Sequence, residues 1–327
     1  MANSSQGLVF DIQRMSTEDG PGIRTTVFMK QCNLKCIWCH NPESILKIPH
    51  LEWFKHKCIG CNTCIETCSQ EALTFDENGL NINRETCNLC KKCVDECPST
   101  ALNMIGEWWN VDDLLFEVQK DKVYYNESKG GITVSGGEPT LQTSFLLHFL
   151  KKTKDNGIST ALDTCGYNSK EVYIKLLPFI DLVLFDVKLI VDEKHKEFTG
   201  VSNRKILENA MWISEYLKKE NKTMWIRTPI IPKYTATEKN LQEIGKFIVN
   251  KLKNSPERWD LLAFNNLCAS KYDRLGLKWK LKDELLMTNN QMENLYEVAK
   301  KTGVKNIHWS GLTRRMEEKE DKINDHS

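Results

Sequence analysis

Residues 32–39 read Cys-Asn-Leu-Lys-Cys-Ile-Trp-Cys, which places three cysteines on one short loop. Cys32, Cys36 and Cys39 have no fourth cysteine near them in the sequence. Three thiolates on a cube of four irons leave one iron with an open coordination position, and an open position on a metal is where chemistry takes place. The spacing alone leaves two alternatives, a cube capped by a distant residue such as His40 or a zinc site. The surrounding sequence has to decide between them.

Eight more cysteines stand in two runs, each spaced C-x2-C-x2-C-x3-C: Cys58, Cys61, Cys64 and Cys68, then Cys87, Cys90, Cys93 and Cys97. Bacterial ferredoxins that hold two [4Fe–4S] clusters have this spacing, and the fourth cysteine of each run binds the cluster of the other run. Cys97 is therefore expected to complete the first set of ligands, and Cys68 the second. Zinc sites use paired C-x2-C knuckles more often than repeated runs of four. The pattern predicts two [4Fe–4S] clusters.

Composition and charge narrow the class of protein. The chain has 327 residues, of which 40% are hydrophobic, enough for a buried core and about two domains. The formal net charge of +1 gives no long-range attraction to nucleic acid or to an anionic membrane. No apolar run reaches the ~20 residues of a membrane span, and residues 1–6 lack the apolar stretch of a signal peptide. We expect a cytoplasmic monomer in which most of the thirteen cysteines serve metal binding rather than disulfides.

Predicted strands and helices alternate along most of the chain. Six strands are predicted at residues 25–29, 132–135, 159–163, 181–187, 223–228 and 259–264, and a last short strand at 304–308. Helices are predicted at residues 141–154, 169–177, 205–218, 237–251 and 288–301. Six βα repeats of this kind indicate an α/β fold with an incomplete barrel of parallel strands.

Polar and glycine-rich motifs follow each of the six strands at its carboxyl end. The three-cysteine loop follows the first strand, and the next five ends carry Ser135-Gly136-Gly137-Glu138-Pro139, Asp163-Thr164-Cys165-Gly166, Asp186-Val187-Lys188, Arg227, and Asn265-Asn266. Barrels of parallel strands place their functional residues at this end. The sequence therefore predicts one site at the top of the barrel, and that site includes the three-cysteine loop.

Residues 50–105 interrupt the alternation after the first strand, and they contain all eight cysteines of the two runs. They are predicted to form an inserted α+β ferredoxin-like domain with two [4Fe–4S] clusters. The barrel would then be discontinuous, built from residues 1–49 and 106–313, and residues 314–327 would be a polar tail.

The chain also resembles a known family. Cys-x3-Cys-x-aromatic-Cys, here with Trp38, is the signature of the radical S-adenosylmethionine (SAM) superfamily. Residues 7–28, GLVFDIQRMSTEDGPGIRTTVF, and residues 39–44, CHNPES, resemble the glycyl-radical-enzyme activating enzymes, relatives of pyruvate formate-lyase activating enzyme. The resemblance implies a partial (β/α)6 radical SAM barrel, three [4Fe–4S] clusters and bound SAM.

The same resemblance implies an activity and partners. The cluster held by Cys32, Cys36 and Cys39 would reduce SAM, which would break into methionine and a 5′-deoxyadenosyl radical. That radical would take a hydrogen atom from a backbone glycine of a glycyl radical enzyme. Reduced flavodoxin or ferredoxin would donate the electron.

Cofactor contacts carry over from the family to matching positions. Trp38 lies within the cluster motif, and Gly136, Gly137 and Glu138 match the stretch that contacts the methionyl amine of SAM. An ordinary turn between strand and helix is the alternative for the glycines. Asn265 departs from the family, in which many members have histidine at an adenosine contact.

Charged residues at the third, fourth and fifth strand ends carry over as well. Asp163, Thr164, Asp186 and Lys188 match positions near the cofactor and a bound monovalent cation, and Arg227 matches an arginine that lines the cofactor pocket. A strand-end ion pair is the alternative for Asp186 and Lys188, and a surface ion pair for Arg227.

Three functions are open on the sequence. The first is an activating enzyme that modifies a protein glycine, the second a radical SAM enzyme with a small-molecule substrate, and the third an electron-carrying ferredoxin module fused to a barrel. The insertion resembles that of activating enzymes for diol dehydratases, choline lyase, arylacetate decarboxylases, sulfonate lyases and arylsuccinate synthases. Outside these motifs, Cys165 and Cys268 are predicted to be buried thiols, and Asp19 and Arg24 to order the loop before the first strand.

Overall fold

The computed structural model describes residues 6–315. Its β-strands are β1 Gln6–Ser16, β2 Arg24–Met29, β3 His50–Trp53, β4 Leu73–Asp76, β5 Gly79–Ile82, β6 Leu102–Ile105, β7 Glu107–Asn110, β8 Gly131–Gly136, β9 Thr160–Thr164, β10 Leu182–Asp186, β11 Thr223–Ile230, β12 Arg258–Ala263 and β13 Ile307–Ser310. Its α-helices are α1 Thr63–Glu66, α2 Lys92–Asp95, α3 Val111–Gln119, α4 Lys122–Ser128, α5 Thr143–Asp155, α6 Lys170–Leu176, α7 Asp192–Thr199, α8 Arg204–Lys219, α9 Glu238–Lys246, α10 Ala269–Arg274 and α11 Asn289–Lys300.

The main sheet is mostly parallel. Within residues 6–315 it has nine strands in the order β13-β12-β11-β10-β9-β8-β2-β1-β7. Every pair from β2 through β8 to β13 is parallel. Strands that follow one another in the βα repeats are also neighbours in the sheet, as short crossover connections require. The predicted α/β class with a central parallel sheet is confirmed.

Two strands of the sheet are not predicted from the sequence. β1 pairs antiparallel with β2 and with β7. Its first residues are apolar and buried, but its second half alternates between exposed and half-buried positions and its pairing with β2 shifts register twice. The mixed pattern matches neither strand template well. The predicted helix over 237–251 is also shorter, because a π-helical turn, Phe247–Lys251, follows α9.

Alternation of side chains gives the parallel strands two different faces. Val183 and Phe185 of β10 lie in the main core against the helices. A second cluster on the opposite face consists of Ala161, Leu182, Leu184 and Trp225. Two residues beyond members of this second cluster, on the same face, stand Asp163, Asp186 and Arg227. The inner face therefore changes from apolar to charged at the carboxyl ends of the strands.

The loop before β2 is tied to the sheet by two charged side chains. The guanidinium of Arg24 is fully buried and donates to the Thr133 hydroxyl oxygen at 2.7 Å. The Asp19 carboxylate accepts from the hydroxyls of Ser16 at 2.6 Å and Thr26 at 2.7 Å. These contacts give both residues a structural role.

Residues 50–105 form two small antiparallel sheets, β3 with β6 and β4 with β5. The first sheet pairs His50 with Ile105, so the two ends of the segment meet. The segment has a hydrophobic cluster of its own, made of Leu51, Leu73, Leu80, Cys93, Leu102 and Met104.

The remaining predictions concern the membrane and the tail. Over the described range, residues 6–315, each helix is too short or too polar to cross a membrane. Of the predicted polar tail, Arg314 forms a parallel bridge with Thr288, while residues 316–327 lie outside the described residues.

Candidate active site

A cavity of about 250 Å³ lies at the carboxyl ends of the parallel strands. Its walls come from the loop after β2 and from the ends of β8 to β12. Of the predicted site residues, it is lined by Cys32, Cys36, Trp38, Cys39, Gly136, Gly137, Asp163, Thr164, Asp186, Lys188 and Arg227. The structure therefore brings most of the predicted strand-end motifs together around one space, and Glu138 and Asn265 stand outside its lining.

The three-cysteine loop, residues 32–39, is held in place by backbone hydrogen bonds. The N–H of Lys35 donates to the Thr199 carbonyl at 2.7 Å, and the N–H of Ile37 donates to the Phe198 carbonyl at 3.0 Å. The end of α7 thus supports the loop from one side. Within the loop, the N–H of Cys39 donates to the Cys36 carbonyl at 3.0 Å, which makes a tight turn between these two cysteines.

The thiols on this loop fit a metal cluster. Burial raises the pKa of Cys32, Cys36 and Cys39 to about 12, so the thiols stay protonated at neutral pH until a metal deprotonates them. Soft thiolates select iron–sulfur clusters, copper or zinc. Cys165 borders the same cavity, and burial raises its pKa as well. Across residues 6–315, no three metal-binding side chains converge on the position of a single ion.

The turn after β8 packs directly on the start of the three-cysteine loop. The N–H of Gly137 donates to the Met29 carbonyl, and the N–H of Glu138 donates to the Gln31 carbonyl, both at 2.8 Å. A Cβ on Gly136 would stand 2.4 Å from backbone atoms of Met29, and one on Gly137 would stand 2.3 Å from the Gln31 carbonyl oxygen. Only glycine allows this close approach.

Glu138 is fully buried and lies behind the cavity lining, next to Thr164 and Cys165. Its carboxylate accepts from the Thr164 hydroxyl at 2.8 Å and from the N–H of Cys165 at 2.8 Å. It also accepts from the N–H of Thr140, which caps the short helical turn that follows. The side chain therefore joins the turn after β8 to the end of β9.

Four charged side chains form two ion pairs on the cavity wall. The Asp163 carboxylate accepts from Ser135 at 2.7 Å and lies 3.3 Å from the Arg227 guanidinium, and Lys188 pairs with Asp186. Burial raises the pKa of Asp163, against the opposing effect of Arg227. Burial alone would lower the pKa of Lys188 and of Arg227, but the neighbouring carboxylates outweigh it and raise both. Both cations therefore keep their charge.

Trp38 and the end of β12 form an aromatic part of the wall. Trp38 is 5% exposed and lies 6.4 Å, between ring centroids, from Tyr234. After β12, Phe264 lines the cavity, while the Asn265 side chain accepts the N–H of Leu267 at 3.2 Å. His40, which the sequence offers only as a distant cap for the cluster, also lines the cavity.

Two aromatic residues that the sequence does not single out contact the three-cysteine loop. The Tyr272 hydroxyl donates to the Cys39 carbonyl at 2.9 Å, and the Trp279 indole N–H donates to the Ile37 carbonyl at 3.0 Å. Both residues lie in the connection between β12 and α11, far along the chain from the loop. An aromatic residue in a lysine-rich connection gives no signal of such a contact.

The eight cysteines of residues 50–105 line two small cavities in crossed sets. One cavity is lined by Cys58, Cys61, Cys64 and Cys97, and the other by Cys68, Cys87, Cys90 and Cys93. The fourth cysteine of each run therefore stands with the first three of the other. The sulfur atoms of Cys68 and Cys97 accept from the N–H groups of Ala72 at 3.4 Å and Ala101 at 3.3 Å.

Comparison with known proteins identifies the family of the chain. The Radical SAM superfamily profile matches residues 26–244. A (2S)-3-sulfopropanediol dehydratase activating enzyme of Klebsiella oxytoca is 37% identical over 313 residues, 94% of this chain and 98% of that protein. A 4-hydroxyphenylacetate decarboxylase activating enzyme of Clostridium scatologenes is 38% identical over 301 residues, 90% and 94% of the two chains. A solved domain of pyruvate-formate lyase-activating enzyme from Bacteroides vulgatus ATCC 8482 is 25% identical, covers 56% of this chain and 99% of its own, and has a TM-score of 0.45. The chain belongs to the radical SAM superfamily and, within it, to the glycyl-radical-enzyme activating enzymes.

Proposed function

We propose that Cys32, Cys36 and Cys39 bind the catalytic [4Fe–4S] cluster and that SAM occupies the adjoining cavity. One observation carries this assignment: the three thiols and the charged ends of β9, β10 and β11 line the same space. The cluster would supply one electron that breaks SAM into methionine and a 5′-deoxyadenosyl radical, which would take a hydrogen atom from a backbone glycine of the partner and leave as 5′-deoxyadenosine. The residues of this chain hold, orient and shield them.

The cavity wall suits the charges of the methionyl end of SAM. Lys188 and Arg227 favour its carboxylate, and Asp163 and Asp186 favour its ammonium group or a monovalent cation beside it. The ion pairs Lys188–Asp186 and Arg227–Asp163 place both signs of charge side by side on this wall.

The remaining proposed contacts with SAM come from the backbone at the two glycines and from side chains of the cavity wall. Gly136 and Gly137 hold the main chain close to the cluster loop, where it can meet the methionyl amine. Thr164 contributes from the end of β9, and Trp38 and the neighbours of Asn265 form the apolar wall. For Glu138 we propose a supporting role, since its carboxylate is fully engaged within the protein.

We also propose that residues 50–105 are an inserted ferredoxin-like domain with two further [4Fe–4S] clusters, three in all. The crossed lining of the two small cavities supports this, because it is the ligand sharing of two-cluster ferredoxins. Residues 1–49 and 106–313 would make up the barrel. The inserted clusters would pass electrons from reduced flavodoxin or ferredoxin, or shape the surface that meets the partner.

The partner is proposed to be a glycyl radical enzyme. Relatives named as activating enzymes for a dehydratase, a decarboxylase and a sulfite-lyase support a protein target. Nothing favours a small-molecule substrate over it. These relatives are 36–38% identical to this chain and are named for different enzymes.

The cluster assignment is tested with Cys32→Ala and the matched control Cys165→Ala, since both cysteines border the cavity. Each variant is reconstituted anaerobically with iron and sulfide, and iron content and 5′-deoxyadenosine formation are measured. We expect Cys32→Ala to lose about four irons per chain and all SAM cleavage, and Cys165→Ala to keep both. Equal loss of iron in the two variants would contradict a three-cysteine site.

The activity itself is tested with candidate partners. Reduced enzyme is mixed with SAM and each glycyl radical enzyme encoded near its gene, and electron paramagnetic resonance (EPR) is recorded. A glycyl signal that depends on SAM identifies the partner. Formation of 5′-deoxyadenosine without a glycyl signal in any mixture argues against a protein target.

A further inference from the structure

The connection between β12 and α11 reaches back over the three-cysteine loop. We call residues 268–282 the brace. The Tyr272 hydroxyl and the Trp279 indole each donate to a carbonyl of the loop, those of Cys39 at 2.9 Å and Ile37 at 3.0 Å. The carbonyl of Ile37, between the second and third cysteines, and that of Cys39 itself thus receive hydrogen bonds from a distant part of the chain.

The two donors of the brace are buried and stacked on each other. Tyr272 and Trp279 are each 8% exposed, and their rings stack with centroids 5.1 Å apart and an interplanar angle of 10°. Trp279 also packs against Phe264, which lines the cavity, with centroids 6.1 Å apart. Stacked and buried rings hold their hydrogen-bonding groups in one direction, because neither ring can rotate away.

A charged contact anchors the same segment beside the loop. The Lys271 ammonium donates to the Asn41 side-chain oxygen at 2.9 Å and lies 2.6 Å from the Glu43 carboxylate. Farther along, the Leu275 carbonyl accepts from the Arg84 guanidinium at 2.9 Å. The brace is therefore fixed both to the stretch after Cys39 and to the inserted segment.

We infer that Tyr272 and Trp279 are positioning residues that set the Cys36-to-Cys39 turn and, through it, the reduction potential of the cluster bound there. Ile37 and Cys39 are half-buried, so few water molecules can replace the donors to their carbonyls. The potential of an iron–sulfur cluster depends on the hydrogen bonds and solvent exposure around its ligands. The brace supplies both a pair of donors and an aromatic cover. This inference rests on the proposed assignment of Cys32, Cys36 and Cys39.

The test uses Tyr272→Phe and Trp279→Phe, each of which removes a donor and keeps an aromatic ring. Tyr124→Phe is the control, since within residues 6–315 its hydroxyl makes no hydrogen bond and the residue is 48% exposed. The full-length variants are reconstituted anaerobically. Iron content, the EPR signal that changes when SAM is added, its midpoint potential and the rate of 5′-deoxyadenosine formation are compared.

We expect iron content to match the wild type in all three variants. In Tyr272→Phe and Trp279→Phe the SAM-sensitive signal should change shape and its midpoint potential should become more negative. With a fixed, limiting reductant, SAM cleavage should slow about three- to tenfold, because a smaller fraction of the cluster is reduced. The potential falls because a positive dipole end near a cluster ligand is lost. Tyr124→Phe should leave every value unchanged.

Two results separate this inference from the assignment on which it rests. Unchanged potential, signal and rate in both brace variants, even with a lower melting temperature, would overturn the positioning role and leave the cluster assignment standing. A SAM-sensitive signal that persists in Cys32→Ala would instead remove the assignment itself.

Discussion

The buried carboxylate of Glu138 links the turn after β8 to the end of β9. Glu138 accepts hydrogen bonds from Thr140, Thr164 and the N–H of Cys165, and all of these groups are donors. In Glu138→Gln one oxygen becomes an NH2 group, which cannot accept and would face these donors. We expect a loss of about 1–3 kcal/mol in the free energy of unfolding, measured by thermal or denaturant unfolding of the metal-free protein.

The control for this change is Glu297→Gln, whose carboxylate makes a surface ion pair with Lys300 and whose loss should be within about 0.5 kcal/mol. If Glu138 instead bound the SAM ammonium directly, Glu138→Gln would raise the KM for SAM and leave the unfolding free energy equal to that of the control. The two roles therefore give opposite patterns in two measurements.

Residue types and spacing predicted the lining of the cavity well, but not the residues that support it. Periodicity placed Asp163, Asp186 and Arg227 at strand ends, and the structure puts all three on the cavity wall. The motif predicts Glu138 as a cofactor contact. Its hydrogen bonds to Thr164 and Cys165 depend on where the end of β9 comes to lie, which is tertiary information that a motif does not contain.

At the scale of elements, the turn after β8 packs closely on the loop after β2, and this contact fixes the position of the loop. In Gly137→Ala the new methyl carbon would stand 2.3 Å from the Gln31 carbonyl oxygen, so the cluster loop has to move. We expect a cost of about 1–3 kcal/mol from overpacking together with at least a tenfold loss of SAM cleavage, about the effect of misplaced reactants.

Gly157→Ala is the matched control. Gly157 has φ +71°, so an alanine there is strained by about 1–2 kcal/mol. No atom lies within 4 Å of the added methyl carbon, so the alanine makes no clash. It lies next to α5, away from the cluster loop. Stability should fall in both variants, and SAM cleavage by the folded enzyme only in Gly137→Ala; a similar loss of cleavage in both would mean that the close contact is not what matters.

Sequence patterns predict the parallel strands but not the antiparallel strands β1 and β7. The parallel strands are short buried runs between helices, and their positions were predicted to within a few residues. β1 and β7 were missed because they are antiparallel additions whose exposure is uneven: β1 has alternating exposed and half-buried positions in its second half, and β7 is mostly exposed. Burial on one side only weakens the hydrophobic signal that identifies a strand.

On the scale of the whole molecule, the long connection between β12 and α11 links three parts of the chain. It touches the three-cysteine loop through Tyr272 and Trp279, and it touches residues 50–105 through the ion pair of Arg274 and Glu52, 3.2 Å apart. Such contacts join segments that are hundreds of residues apart, and no local pattern encodes them. Residues 50–105 and the three-cysteine loop are thus joined through the same connection.

The arrangement of the inserted cysteines allows a test with paired variants. If ligands are shared across the two runs, Cys68 and Cys87 belong to one cluster, and Cys68 and Cys58 belong to different clusters. The double variant Cys68→Ala/Cys87→Ala should then lose about four irons per chain, as each single variant does, whereas Cys68→Ala/Cys58→Ala should lose about eight.

Iron analysis after anaerobic reconstitution reads out both double variants, and 5′-deoxyadenosine formation with an artificial reductant reports whether the cavity cluster survives. Ligation within each run would reverse the result, because Cys58 and Cys68 would then share a cluster. A zinc-binding insertion would show no iron loss in either double variant. The crossed outcome alone agrees with cavities that each collect three cysteines from one run and the fourth from the other.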